Sequence, residues 1–65
     1  MSIEVLVQSG DPQRLVVGVG PFDPAYDPRP DGYTKYVLDD SQQQAVMQPM
    51  AYVCADLRTV QAQPC

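Results

Sequence analysis

Histidine and tryptophan are absent from this chain, and its 65 residues include only four lysines and arginines, four glycines and two cysteines. Without histidine there is no usual general base, no commonest transition-metal ligand and no histidine-dependent triad. Two cysteines alone do not complete a structural zinc site. Arg14, Arg29, Lys35 and Arg58 are scattered, and a net charge of −4 opposes the clustered positive charge that phosphate binding needs. Eight acids spread along the chain do not form the dense stripe of a DNA mimic either, and read as an ordinary soluble acidic surface. Long apolar runs are missing too. The first ends at Val7, contains Glu4 and has no basic segment before it, so neither a signal peptide nor a membrane span is expected. These absences point to a non-enzymatic protein with no cofactor, metal, nucleic-acid or membrane partner. It is expected in a cytoplasm or assembled directly into a particle.

Proline, by contrast, is concentrated. Gly20-Pro-Phe-Asp-Pro-Ala-Tyr-Asp-Pro-Arg-Pro-Asp-Gly32 holds four of the seven prolines. Each fixes its own φ, removes one backbone donor and pushes the preceding residue toward extended geometry. Residues 20–32 are therefore predicted to be neither helix nor inner strand, but a stiff extended arm with turns that carries Phe22 and Tyr26. Such an arm loses little entropy when it lies on a neighbour.

The rest of the chain is predicted to form one small β-rich domain, with an α+β arrangement as the variant. Ile3-Glu-Val-Leu-Val-Gln8 alternates with Ile3, Val5 and Val7 on one face. Ser9-Gly-Asp-Pro12 is a turn signal, and Gln13–Val19 reads as the returning strand with Leu15, Val17 and Val19 inward. Residues 3–19 are thus an antiparallel hairpin, and residues 33–38, Tyr33-Thr-Lys-Tyr-Val-Leu38, add a third strand. Val37, Leu38, Val46, Val53, Leu57 and Val60 complete the expected core. Residues 40–62 are ambiguous. Asp40 or Ser41 could cap a short helix over Gln42–Met47 that Pro49 ends. Met50, Val53, Cys54, Leu57 and Val60 then fit one helical face, yet Tyr52-Val-Cys54 and Arg58-Thr-Val60 fit two short strands turning at Ala55-Asp56 equally well. Proline at a first helical position tips the balance slightly to helix. So short a chain buries only about 60% of its unfolded surface, so one small core is all it can build. Cys54 and Cys65 lie within reach of a disulfide, but without a secretory signal two free thiols are expected, and Pro64-Cys65 reads as a tail.

Several short patterns admit a sharper chemistry and are better explained without it. Asp23, Asp27 and Asp31 repeat every four residues and offer oxygen ligands to a hard cation, but lack the EF-hand pattern. Aspartates ahead of proline more often cap turns. Gly18-Val-Gly20 lacks the third glycine and helix start of a dinucleotide loop. Pro21-Phe-Asp-Pro24 has the PxxP spacing of SH3 ligands, but acidic neighbours where those ligands are basic. The three Asp-Pro pairs at 11–12, 23–24 and 27–28 recur without a repeating hydrophobic frame. Cys54 has no activating partner in view. The aromatic residues remain. Phe22 and Tyr26 either cover the chain's own core or anchor an interface, and a partner interface is expected over Pro21, Phe22, Pro24, Tyr26, Pro28, Tyr33 and Tyr36.

A β-hairpin, a proline-rich arm, acidic balance and no catalytic constellation together resemble the small accessory virion proteins of tailed bacteriophages: cement or decoration, minor capsid and head–tail proteins. The resemblance is one of overall character and carries no residue roles across. It implies a multi-copy structural subunit of a virion that lies across a major capsid or other larger virion protein. The alternative from another class is a small intracellular binding module or inhibitor that docks one partner. A carboxylate-dependent enzyme ranks last, because the chain can barely enclose a concave site.

Overall fold

Ile3, Val5 and Val7 alternate with Glu4 and Leu6, and this two-residue period forms β1 (Ser2–Gln8), the central strand of the protein. The structure, a computed structural model, describes residues 2–65. β1 is flanked by β2 (Val16–Val19) and β3 (Tyr33–Asp39), both antiparallel, in the order β2-β1-β3. The register sets Ile3 against Leu38, Val5 against Tyr36 and Val7 against Thr34 on one face. Glu4 with Val37, Leu6 with Lys35 and Gln8 with Tyr33 occupy the other. On the first face Ile3, Val5, Val7 and Leu38 are buried, with Val5 fully excluded from solvent.

The small β-rich class and the antiparallel hairpin of the sequence reading are what the chain forms, but its second strand is shorter and phased differently. Val7 pairs with Val16 and Leu6 with Gly18, so Val17 is the extra residue of a β-bulge. The bulge turns Val17 outward, at 53% exposure, and sets Val16 against the core, whereas Val19 stays on the inner face opposite Val5 but lies open on the edge strand. Just before the bulge, the chain leaves β1 for a second partner. Val16 donates to Ala51 O at 2.8 Å, Val53 donates to Arg14 O at 2.9 Å, and Leu15 bridges Tyr52. One strand therefore serves two sheets, and the bulge makes the corner between them. Asp11 fixes the approach, accepting from Gln13 N–H and Leu15 N–H at 3.0 and 3.1 Å, while Arg14 takes a left-handed φ of 56°.

The second sheet is β4 (Tyr52–Val53) with β5 (Val60–Gln61). Residues 50–62 are thus a strand-turn-strand, and the slight preference for helix there is corrected. Four consecutive buried residues, Ala51 to Cys54, cannot lie on one helical stripe, and they suit a strand covered on both faces. The turn is closed by Asp56, whose carboxylate accepts from Arg58 N–H, Thr59 N–H and the Thr59 hydroxyl. Leu57, expected in the core, sits exposed at that turn with φ 60°. The helix is a single turn, α1 (Gln43–Val46), preceded by a 3-10 turn over Asp40–Gln42. Neither Asp40 nor Ser41 caps it: the residue before α1 is Gln42, and Ser41 donates to Asp39 instead. Gln42 reaches across to accept from Val60 N–H at 3.1 Å, tying α1 to β5. Val46, Ala51, Val53 and Val60 close the core against the inner face of the first sheet.

Cys54 and Cys65 form a disulfide with Cα atoms 5.0 Å apart, correcting the expectation of free thiols. The hairpin turn brings Cys54 within bridging range of the tail, a proximity invisible in linear spacing. Closing this loop should stabilise the fold by about 3 kcal/mol through the unfolded state. The Cys65→Ser variant is therefore expected to melt at least about 10 °C lower than the parent. Thiol titration of the unreduced, denatured parent should find no free thiol, and two titratable thiols would refute the pairing.

Candidate functional site

The connection from β2 to β3 must pass from one edge of the first sheet to the other, across central β1. Gly20 starts the crossing by donating to Glu4 O at 2.7 Å, which extends the β1–β2 ladder by one step. The Glu4 carboxylate then takes over. Its Oε1 accepts from Phe22 N–H at 3.0 Å, and its Oε2 lies 3.4 Å from the Lys35 ammonium. Glu4 is on the face opposite the core, so the arm runs over that outer face and is fastened to it. It is not a rod held away from the body, as its prolines alone suggested.

Beyond Phe22 the arm turns twice by one device. Asp23 Oδ1 accepts from Ala25 N–H at 2.9 Å, and Asp27 Oδ1 accepts from Arg29 N–H at 3.0 Å. Asp27 also holds the Arg29 guanidinium in a forked contact, with the shortest distance 2.8 Å. A 3-10 turn over Arg29–Asp31 follows, and Gly32 closes it at φ 89°, where a side chain would be strained. Pro28 O receives both Asp31 N–H and Tyr33 N–H, which delivers the chain into β3.

The expected interface residues do not all come together. Phe22 and Tyr26 come together, with ring centroids 6.0 Å apart and planes tilted by 46°. Both are half-buried, and with Asp23 and Ala25 they line a shallow apolar depression of about 480 Å³. Pro24, Tyr26 and Pro28 line a neighbouring cleft of about 360 Å³ with Arg29, Thr34 and Lys35. Pro21 and Pro24 are exposed, whereas Pro28 is buried and acts as part of the chain's own structure. Tyr33 is exposed at the start of β3 on the arm-bearing face. Tyr36 lies on the other face, packed against the core, and does not join the group.

Sequence reasoning missed the fastening residues. Glu4 is the one charged residue of β1 and Lys35 the one cation of β3, and the alternation places both on the outer face, which was the available signal. Phe22 N–H, above all, holds the Glu4 carboxyl below its ordinary range, helped by Lys35. The Arg29 contacts bring Asp27 down to about 2, and the Thr59 hydroxyl with two amides does the same for Asp56.

These shifts set the acid response. A carboxyl whose folded value lies below its unfolded one stabilises the fold at higher pH and loses that contribution as pH falls. The melting temperature is therefore expected to be level above about pH 5 and to fall between the ordinary aspartate value of 3.8 and about 2. Thermal melts across that range check it, and a level profile down to pH 2 would contradict it. A second expected outcome concerns Gly20. A Cβ there would stand 2.7 Å from both the Phe22 ring and its backbone nitrogen. Gly20→Ala should cost about 1–3 kcal/mol in urea unfolding and shift the Phe22 and Tyr26 ring resonances.

Neither a protein family, a characterised protein nor a solved structure matches this chain.

Proposed function

We propose that this chain is a structural assembly protein, a small accessory subunit of a virion that lies on a larger neighbour through its proline-rich arm. The observation that carries the reading is the Phe22–Tyr26 pair. Two aromatic rings stand half-exposed around an apolar depression, on a segment whose backbone is already held by Glu4, Asp23 and Asp27. Side chains presented on a pre-ordered backbone bury area on a partner with little further loss of entropy. Covering the exposed half of both rings would contribute about 1 kcal/mol or more from each.

The Cys54–Cys65 disulfide favours one other reading, a module that folds alone and docks a single partner. The two differ in stoichiometry: many copies on a particle, or one copy in a one-to-one complex.

Particles purified on a density gradient from cells that encode the chain should carry it in many copies by quantitative mass spectrometry. The double variant Phe22→Ala, Tyr26→Ala should reduce that incorporation at least about tenfold. Its isolated form should keep the circular dichroism of the parent sheet. Absence of the chain from particles would refute the virion reading. Normal incorporation of the double variant would refute the role of the arm.

A further inference from the structure

β3 is the outer strand of its sheet, and the hydrogen bonds at its start reveal which of its groups face outward. Tyr33 gives its N–H to Pro28 O, away from β1. Glu4 O, on the other side of β1, receives Gly20 N–H, so Glu4 faces β2 and Val5 faces β3. In an antiparallel ladder these assignments alternate. Thr34, Tyr36 and Leu38 therefore bond to β1, while Lys35, Val37 and Asp39 turn their N–H and C=O groups outward. Among the described residues no group meets the outward N–H or C=O of Lys35 or Val37. The arm flanks only the beginning of the strand, where Thr34 and Lys35 line the cleft beside it. Val37, in the middle, is 59% exposed.

Natural edges of this kind are usually blunted by proline, a bulge or a lysine. Here only Lys35 is present, and Asp39 on the same face can offset it in a partner strand of the same sequence. We propose that β3 pairs antiparallel with β3 of a second copy of this chain, about a twofold axis at Val37, making one continuous sheet from two. Outward-facing residues must meet outward-facing residues, which leaves few registers. An axis at Lys35 or at Asp39 opposes like charges. An axis at Tyr36 sets Lys35 against Val37, and one at Leu38 sets Val37 against Asp39, so neither brings an opposite charge from the partner strand. The axis at Val37 sets Lys35 against Asp39 twice and Val37 against itself, so that three successive pairs exchange backbone hydrogen bonds. The contact is isologous and closes at two chains. It does not use Phe22 or Tyr26 and stands independently of the partner reading. A strip of this size is well below a standard interface, so the dimer is weak, with a dissociation constant on the order of 10–100 μM.

Sedimentation velocity from about 5 to about 500 μM tests this. The wild-type mass should rise from one chain toward two, and Val37→Lys and Asp39→Lys should each remain at one chain with unchanged circular dichroism. In the wild type, amide exchange at Lys35 and Val37 should slow at least about threefold from the bottom to the top of that range. This readout needs no variant, so it decides the matter even where a substitution disturbs folding. A mass that stays at one chain, growth beyond two chains, or a dimer whose Lys35 and Val37 amides exchange as fast as in the monomer would each overturn the proposal.

Discussion

Carboxylate oxygens accepting backbone N–H groups hold this chain in shape. All three Asp-Pro pairs use the same contact: Asp11 takes the amide of Gln13, Asp23 that of Ala25, and Asp27 that of Arg29. Proline explains the recurrence. It has no N–H and a preset φ, so the next residue carries the first amide a preceding aspartate can reach. Asp56 makes the equivalent contact with Arg58 without a proline between, and Glu4 makes a long-range version with Phe22. Five of the eight acids are thereby engaged with the chain's own backbone. The acidic balance of the protein reflects how it turns its loops more than what it meets.

These turns matter because the core is small. β1 carries both ladders of the first sheet, and its Ile3, Val5 and Val7 form the floor on which Val46, Ala51, Val53 and Val60 rest. The second sheet has two residues in each strand and would not persist alone. It is held by the strand that turns the corner at Val17, by Gln42 on Val60, and by the Cys54–Cys65 bridge. The first two join elements distant in sequence, so losing either loosens a layer, whereas the bridge ties the final residues back to the end of β4.

Much of this was legible in the residues. The alternation of Ile3, Val5 and Val7, the β-branched and aromatic run at Tyr33–Leu38 and the proline-rich break between them predicted the sheet and its connection. Val17 was misplaced because a bulge shifts the two-residue period by one, and nothing local announces it. Residues 50–62 were ambiguous because apolar spacing at three and four positions also satisfies two short strands, and only the burial of Ala51 through Cys54 decides between them. The pairing of Cys54 with Cys65 depends on the same hairpin. At the candidate site, the aromatic residues were identifiable by type, but the face they occupy was not. That depends on Glu4, which binds the arm from a strand far earlier in the chain.

The order of strands in the first sheet also bears on how fast the protein can acquire its structure. Val7 meets Val16 across a short loop, whereas Ser2 meets Asp39 and Gln8 meets Tyr33 only after the whole crossing has been laid down. The hairpin can close early, but alone it is only marginally stable. The entropy of ordering the intervening segment must be met before β3 rewards it. Aspartate-capped turns within the crossing need only local contacts, so they can form before β3 docks and shorten the effective loop. Their influence should therefore extend to the rate-limiting ensemble, in which a partly bent crossing guides β3 onto the exposed side of the nascent hairpin.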